Sequence, residues 1–311
     1  MAGILVIGWI FADLKGFSRD TYLAAGRNLG EIRIFHGGVS RNIAENIAAT
    51  GTAVSFLSTS EKGSLGEDIL NRLNRSGVDT SLVRTVDANG IGKWMVLLNE
   101  QRDVAGEISS PPDPSCLEAL VEEIGEDAVR DSDCVILEAD TSWSLTRRVT
   151  ELAALYHKPL YASIGNLSVV LSHPEWIANL DCLFCNQQEF HRILGTDDSC
   201  LSPKEMLDVL KNALPRLGCP SAVVTMGERG AVFCSSSTGE EGLCPAVPVP
   251  VIDTTGAGDA FLSGAVAALS REIPLSRAVR AGAGLAAMVL QTDESALSPD
   301  ETTRAIWENL P

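Results

Sequence analysis

Short apolar runs of strand length alternate along the chain with longer segments whose apolar residues recur every three or four positions. Ile43 and Ile47 illustrate the second pattern, in a segment that Ser40 is predicted to cap and Gly51 to end. The predicted strands are 3–8, 53–58, 77–83, 134–139, 159–164, 182–186 and 221–227. The predicted helices are 40–50, 65–77, 116–131, 145–157, 203–218, 257–271, 274–291 and 299–310. This alternation predicts a parallel sheet covered by helices on both faces.

Two stretches, 10–36 and 90–108, interrupt the alternation. In the second stretch the apolar residues Trp94, Val96 and Leu98 alternate with residues that are also apolar, so both faces of the predicted strand are apolar. A hairpin that packs on the protein with one face and meets a ligand or partner with the other has this pattern, and so does an additional hairpin at a sheet edge. The pattern alone leaves both interpretations open.

Composition and charge restrict the partners of the chain. Its 311 residues are 45% hydrophobic and 21% charged, which indicates a folded chain with a sizeable core. The net charge of −17, from 24 basic and 41 acidic side chains, leaves no broad basic surface, so nucleic acid and membranes are not expected partners. A basic leader is absent and no apolar stretch reaches the roughly 18 residues of a membrane span, so a soluble cytoplasmic protein is expected.

The eight cysteines lie scattered in apolar segments rather than in a disulfide or zinc pattern. They are expected to be reduced, because disulfide frameworks belong to short secreted chains. Cys182, Cys185 and His191 lack a second pair of ligands at zinc spacing, so a structural zinc site is not expected.

The segment DTTGAGDAF at 253–261 places a glycine turn and an acid at the predicted start of a helix. Gly256 and Gly258 allow a sharp turn, and their N–H groups, with that of Ala257, are predicted to point outward, where they would hold a phosphate or a developing negative charge. Asp259 lies in the first turn, where the helix dipole predicts an ionised carboxylate that can take a proton from an attacking hydroxyl. The same letters also describe a helix start without a function. A dinucleotide fingerprint does not fit, because Phe261 stands at its third glycine.

Two separated segments resemble the ribokinase-like (PfkB) carbohydrate kinase family. DTTGAGDAFLSG is similar to the family's C-terminal signature, and GGVSRNIAENIAATG at 37–51 is similar to its N-terminal signature. The resemblance spans nearly the whole chain. It implies a single domain over 1–311, an α/β fold that is a ribokinase-like three-layer αβα sandwich with a mostly parallel central sheet, and a small β-sheet lid formed by 10–36 and 90–108. In many members the lid excludes water and is a dimer contact, so a homodimer through the lid is expected.

The resemblance also implies an ATP-dependent kinase and its functional residues. Asp259 would be the catalytic base, and the turn of Gly256, Ala257 and Gly258 the anion hole. The residues implied for the acceptor are Asp13, Gly37, Gly38 and Asn42, and those implied for ATP are Asn186, Thr225, Gly227 and Gly230. Glu189 of the NQQE segment would order Mg²⁺ through water, and a monovalent cation such as K⁺ is a further expected cofactor. The small residues at 281–290 either accommodate an adenine or allow close helix packing.

The motifs determine the acceptor less well. The resemblance implies that the acceptor is a ribosyl nucleoside or a sugar, phosphorylated on a primary hydroxyl. Pseudouridine is the first candidate, because GGVSRNIAENIA and DLKGFS resemble segments of the pseudouridine kinases. Val39 stands where ribokinases have a lysine, which disfavours an anionic acceptor. The segments 58–66 and 161–166 depart from the family, with Ser163 in the place of an acid. The alternatives are a kinase for a plain sugar such as ribose, fructose or a keto-deoxy sugar acid, a non-catalytic nucleoside or sugar sensor, and a nucleotide-binding assembly subunit.

Overall fold

The computed structural model describes residues 3–196 and 201–298. Its strands are β1 (Ile4–Ile7), β2 (Phe11–Ser18), β3 (Gly30–Gly37), β4 (Val54–Glu61), β5 (Val83–Val86), β6 (Gly92–Leu98), β7 (Val104–Ser110), β8 (Cys134–Glu138), β9 (Leu160–Ser163), β10 (Leu183–Asn186), β11 (Ser221–Thr225), β12 (Ala231–Ser235) and β13 (Glu241–Cys244). Its α-helices are α1 (Val39–Ala49), α2 (Ser64–Arg75), α3 (Pro114–Arg130), α4 (Trp143–Leu155), α5 (Ser168–Ser172), α6 (Gln187–Leu194), α7 (Pro203–Leu217), α8 (Ala257–Leu269) and α9 (Leu275–Val289).

The central β-structure is mostly parallel, as predicted. Strands β5, β4, β1, β8 and β9 are hydrogen-bonded in that order and all run parallel, and β10 pairs with β11 in the same way. The two sheets meet at β9 and β10, where the N–H of Asp181 donates to the carbonyl of Leu160 at 3.0 Å. Strands β12 and β13 add an antiparallel edge. Parallel strands of this kind are buried on both faces, which explains their continuous apolar sequences.

Helices cover both faces of the central sheet. In the fully buried strand β1, Ile4 and Val6 face a core formed with α1, α8 and α9, while Leu5 and Ile7 face a second core formed with α3, α4 and α7. This alternation follows from the two-residue period of a strand. The predicted three-layer sandwich is therefore confirmed.

The two stretches that interrupt the alternation form a separate four-stranded sheet, the lid. Its strand order is β3-β2-β6-β7, with β2 parallel to β6 and both outer pairs antiparallel. Asp13 pairs with Trp94, and Trp94 pairs with Ser109, so these three side chains share one face. All three residues line the cleft described below, whereas Met95 and Ile108 on the opposite face are exposed.

Two local predictions have a different outcome in the structure, and a third is not tested by it. Ser40 does not cap α1: the helix begins one residue earlier, after Gly38, and the Ser40 hydroxyl instead donates to Glu138 at 2.6 Å. The strand predicted at 77–83 is wrong in position, since β5 begins only at Val83 and Asp79 forms an isolated bridge. Polar residues at 79–81 favour a turn over a strand there. The helix predicted at 299–310 lies outside the described residues.

Candidate functional site

The sequence-predicted residues gather at one edge of the sheet, where the carboxyl ends of the parallel strands meet the first turns of helices. Strand β1 leads into Asp13 of the lid, and β8 ends at Glu138. Strands β10 and β11 end side by side, with Asn186 and Thr225 as register partners. In open α/β sheets, this edge is where ligands bind.

A cleft of about 630 Å³ opens between the lid and this edge. Its apolar walls include Trp9, Phe11 and Trp94. Its polar side chains come from both sides: Asp13 and Ser109 from the lid, and Glu138, Asp140, Thr141 and Asn166 from the end of β8 and the loops of the core. A cleft with aromatic walls and a few polar groups is typical of a small-molecule site.

Asp13 and Gly38 line one side of the cleft, and Gly37 lies behind them against Asp13. Gly38 has a φ of 100°, and a Cβ on it would lie 2.8 Å from both the Trp9 carbonyl oxygen and the Phe11 amide nitrogen. A Cβ on Gly37 would collide with the carboxylate of Asp13. Gly38 is therefore required by the close approach of the Trp9–Phe11 backbone to the start of α1, and Gly37 leaves room for the Asp13 carboxylate on the neighbouring strand. Burial raises the pKa of Asp13, although Lys15 and Arg41 oppose this shift.

The N-terminus of α8 carries the predicted glycine turn. Gly256 precedes the helix with a φ of 80°, and a Cβ there would collide with the Ser295 carbonyl. The N–H groups of Gly258 and Asp259 lie in the first turn, where a helix offers them no internal acceptor. A Cβ on Gly258 would meet nothing within 4 Å, so the space beside this turn is open. The Ala257 N–H differs from the prediction, because it donates to the Thr254 carbonyl at 3.3 Å within the turn.

Asp259 lies next to Asn42, whose Nδ2 donates to the aspartate Oδ2 at 2.8 Å. Burial, assisted by the nearby carboxylates Glu138 and Glu189, raises the pKa of Asp259 to about 7, although Asn42 and Arg41 oppose this shift. A pKa of about 7 means that the carboxylate predicted from the helix dipole is only partly ionised at neutral pH. Desolvation outweighs the dipole and the single hydrogen bond. A pKa near the working pH is the value that suits a group that must accept a proton.

The raised pKa predicts that Asp259 destabilises the folded protein at neutral and alkaline pH. The unfavourable contribution grows from about pH 4, near the unfolded pKa, to about pH 7, and is constant above that. Asp259→Asn should therefore raise the free energy of unfolding by about 2–4 kcal/mol at pH 8 and leave it nearly unchanged at pH 4. Urea unfolding at the two pH values measures this, and an equal effect at both would contradict it.

The second group of predicted residues lies at the ends of β10 and β11. Asn186 and Glu189 form a capping box at the start of α6: Asn186 Oδ1 accepts from the Glu189 N–H at 2.9 Å, and Glu189 Oε2 accepts from the Asn186 N–H at 2.8 Å. This arrangement fixes the Glu189 carboxylate at the helix N-terminus, and burial raises its pKa. Glu189 also contributes to the raised pKa of Asp259, so the two groups of residues lie near each other.

Glycine is present at or near this second group of residues for a different structural reason at each position. Gly230 has a φ of 85° and its carbonyl accepts from the Met226 N–H at 2.7 Å, so it closes the turn between β11 and β12. Gly227 has a φ of 60° and open space where a Cβ would lie. In the 281–290 segment, Gly282 lies against Gly264 and the Phe261 carbonyl of α8. Close helix packing, one of the two interpretations left open for that segment, therefore accounts for Gly282.

Three residues that the fold brings to the site were not predicted from the sequence. Glu138 accepts from the Trp9 N–H at 3.0 Å and from Ser40, and burial raises its pKa. Arg41 and Ser295 both donate to Asn42 Oδ1, the latter at 2.8 Å. Ser295 is 253 residues from Asn42 in sequence. The one available signal for Arg41 was a charged residue on the apolar, helical segment 40–50.

Within residues 3–196 and 201–298, no group of three or more His, Cys, Asp or Glu side chains is placed to hold a metal ion. Cys182 and Cys185 are buried, and burial raises the pKa of both thiols. His191 lies against Thr196, with Nδ1 2.9 Å from its Oγ1. In the same described part of the chain, no helix is long and apolar enough to cross a membrane.

Known proteins resemble this chain over nearly all of its length. A family model described as pfkB family carbohydrate kinase matches residues 1–302. The guanosine-inosine kinase of Exiguobacterium acetylicum is 31% identical over 300 residues, which cover 96% of this chain and 98% of that protein. The pseudouridine kinase of Escherichia coli (strain K12) is 26% identical over 297 residues, with 93% and 91% coverage.

Solved structures show the same fold at lower identity. The Arabidopsis thaliana ribokinase complexed with ribose and ATP superposes with a TM-score of 0.81 at 19% identity and covers 100% of both chains. The ribokinase of Thermotoga maritima has a TM-score of 0.80 at 19% identity, with 99% and 100% coverage. At these identities the likeness concerns the fold.

Proposed function

Because this chain belongs to the pfkB family of carbohydrate kinases, and is thus a nucleoside or sugar phosphotransferase with an alcohol group as acceptor, we propose that it transfers the γ-phosphate of ATP to the primary hydroxyl of a nucleoside. The observation that carries this proposal is the hydrogen bond between Asn42 and a desolvated Asp259 at the open first turn of α8. A base and an anion-binding turn adjoin there, as phosphoryl transfer to an alcohol requires. A kinase that consumes ATP is expected in the cytoplasm.

We assign the proton transfer to Asp259. Asp13, Gly37, Gly38 and Asn42 hold the acceptor hydroxyls, and Asp259 accepts the proton of the primary hydroxyl as its oxygen attacks the γ-phosphorus and ADP leaves. The N–H groups of Gly258 and Asp259, in the first turn of α8, then face the charge that develops on the phosphoryl oxygens. The lid, by covering the cleft, excludes water as a competing acceptor.

The residues at the second group fit a nucleotide with a divalent cation. The open space at Gly227 and Gly258 leaves room for phosphates, and Asn186, Thr225 and Gly230 lie along the same edge. Glu189 is one carboxylate rather than a cluster, so it suits an ion that keeps most of its water ligands. When bound, Mg²⁺ would neutralise charge on the transferred phosphate, and K⁺ is proposed as an additional activator.

A nucleoside fits the cleft better than a plain sugar does. Trp9, Phe11 and Trp94 offer aromatic surfaces against which a base can stack, and the volume of about 630 Å³ exceeds what a pentose needs. Guanosine and inosine are first candidates because of the relative that is 31% identical, and pseudouridine follows through the relative at 26%.

The choice of acceptor is tested by ADP release with a panel of guanosine, inosine, pseudouridine, adenosine, ribose and fructose. We expect kcat/KM for at least one nucleoside to exceed that for ribose by roughly 10²-fold, since stacking and burial of the base add binding energy.

Trp94→Ala should reduce this ratio of nucleoside to ribose kcat/KM. Trp143→Ala is the control and should not reduce it, because the Trp143 ring stacks on His173 outside the cleft lining. A higher kcat/KM for ribose would overturn the nucleoside assignment, and a thermal shift without ADP from any compound would favour a sensor.

We further propose that the lid forms a homodimer. The outer face of its sheet carries a continuous row across four strands, in which Ile34 pairs with Leu14, Leu14 with Met95, and Met95 with Ile108. Ile34 and Ile108 are 60% and 71% exposed. A contiguous apolar row on a sheet face is typical of a protein interface.

If the lid forms a dimer, a charge introduced into this apolar row should separate the two subunits. Ile108→Lys should convert a dimer of the wild type into a monomer in sedimentation velocity, because a lysine cannot be buried there without a partner. Leu155→Lys is the matched control, since Leu155 is 62% exposed on α4 and distant from the lid sheet in the fold. A monomeric wild-type protein, or equal dissociation by both substitutions, would contradict the proposal.

A further inference from the structure

The most completely buried cation of the described chain, Arg41, lies one residue from Asn42 and touches neither the cleft lining nor a catalytic group directly. Its Nε donates to the Gly37 carbonyl at 2.9 Å, and its Nη2 donates to Asn42 Oδ1 and to Ser295 Oγ. The Arg41 guanidinium thus links Gly37, at the end of β3, to Asn42 and to the segment after α9.

These contacts fix which way the Asn42 amide points. Oδ1 receives hydrogen bonds from Arg41 and Ser295, and an arginine can only donate. A flipped amide would place its NH₂ group against the guanidinium, so Nδ2 is held toward Asp259 Oδ2. Asn42 is therefore kept as a hydrogen-bond donor to the carboxylate.

The charge of Arg41 is neutralised by residues outside the cleft. Glu45, which is also fully buried, accepts from Arg41 Nη1 at 2.6 Å and from Arg72 of α2 at 3.0 Å, and Arg72 binds Glu294 at 2.9 Å. Burial lowers the pKa of Arg41, but Glu45 opposes this, and an arginine stays charged in proteins. A positive charge consequently persists behind Asn42.

We propose that Arg41, through Asn42 and together with Ser295, is a positioning residue that keeps Asp259 competent as the base. The inference rests on the proposed role of Asp259. Asn42 is the hydrogen-bond partner of that carboxylate, and three charges act on it from a distance: Arg41 of α1 favours its ionised form, as Asn42 does, whereas Glu138 of β8 and Glu189 of α6 oppose it. Removal of Arg41 takes away its charge and releases the Asn42 amide, so both favourable contributions weaken.

The test measures the ionisation of Asp259 directly in the unliganded full-length protein. Side-chain ¹³C NMR titration, with the Asp259 signal assigned from its loss in Asp259→Asn, should give a midpoint near 7 in the wild type. In Arg41→Met the midpoint should rise by about one unit, and in Ser295→Ala by less, because only one donor to Asn42 is lost. Arg41→Lys should partly restore the wild-type value by keeping the charge.

Arg72→Met is the matched control. It breaks the same ionic chain at Glu45 but contacts neither Asn42 nor Asp259, so it should lower stability without moving the midpoint. Equal midpoints in Arg41→Met and Arg72→Met would overturn the proposal. If Arg41→Met does not fold, the other two variants decide: a wild-type midpoint in both Arg41→Lys and Ser295→Ala would overturn it.

The acid limb of kcat/KM for the acceptor against pH, which reports ionisations of the free enzyme, gives a second readout. For a rise of one unit, this kcat/KM at pH 6 should fall roughly tenfold in Arg41→Met, with convergence toward the wild type above pH 8.5. Absence of kinase activity in the wild type would refute the proposed function but leave the NMR comparison valid, so the two failures are distinguishable.

Discussion

Asp259→Asn should lower kcat by roughly 10²–10⁴ while ATP binding is retained, because an amide cannot accept the hydroxyl proton as oxygen attacks phosphorus. The substitution is nearly isosteric, and the oxygen of the new amide can still accept the hydrogen bond from Asn42 that Asp259 accepts at 2.8 Å. The turn at Gly256 and the first-turn N–H groups of α8 do not depend on the carboxylate. Steady-state kinetics with the acceptor identified by the panel, together with ATP titration by calorimetry, measure both effects.

Asp113→Asn is the matched control for this prediction. It makes the same change in an exposed aspartate that caps α3, so it should leave turnover unchanged. Turnover of Asp259→Asn within threefold of the wild type would remove Asp259 from the proton transfer. Loss of ATP binding would instead show that the substitution had disturbed the anion-binding turn.

Asp13→Ala should lower kcat/KM for the acceptor by roughly 10²–10³ with little change in the KM for ATP. A carboxylate in the cleft can accept two hydroxyl hydrogen bonds, and each bond to a charged group contributes about 1.5–3 kcal/mol. Asp13 is well placed for this role because it faces the cleft from the lid and lies against Gly37. Initial rates at varied acceptor and varied ATP separate the two KM values.

Lys15→Ala serves as the control for Asp13→Ala. Lys15 lies two residues along β2 and its ammonium lies 4.8 Å from the centre of the Phe35 ring, so its loss alters the lid without removing an acceptor ligand. A kcat/KM for Asp13→Ala equal to that of Lys15→Ala would contradict direct binding by Asp13. A parallel rise in the KM for ATP would indicate a general effect on lid closure.

Local sequence patterns predicted those parts of the site that depend on neighbouring residues. The turn of Gly256 needs a left-handed φ that glycine adopts without strain, and the first turn of α8 follows from it. The capping box of Asn186 and Glu189 spans four residues and was readable as a helix start. The alternation of apolar runs likewise fixed the layer order, because a parallel strand must be buried on both faces.

The parts that could not be predicted depend on contacts between distant residues. The pKa of Asp259 reflects burial by elements from α1 to α8, and no local rule for a helix terminus includes that desolvation. Ser40 looked like a cap, yet its hydroxyl binds Glu138, which is 98 residues away. Arg41 pairs with Glu45 inside the protein and donates to Ser295 across 254 residues, a contact that the local helical pattern does not contain.

The product formed from ATP and a nucleoside tests the central claim most directly. Purified protein should be incubated with ATP, Mg²⁺ and each nucleoside of the panel, and the phosphorus of the product followed by ³¹P NMR with proton coupling. The account predicts one equivalent of a nucleoside monophosphate per ADP, with the phosphorus coupled to the two protons of the primary carbon, and no such product from Asp259→Asn on the same timescale. Inorganic phosphate as the only new signal, phosphate on a secondary hydroxyl, or no ADP with any acceptor would contradict it.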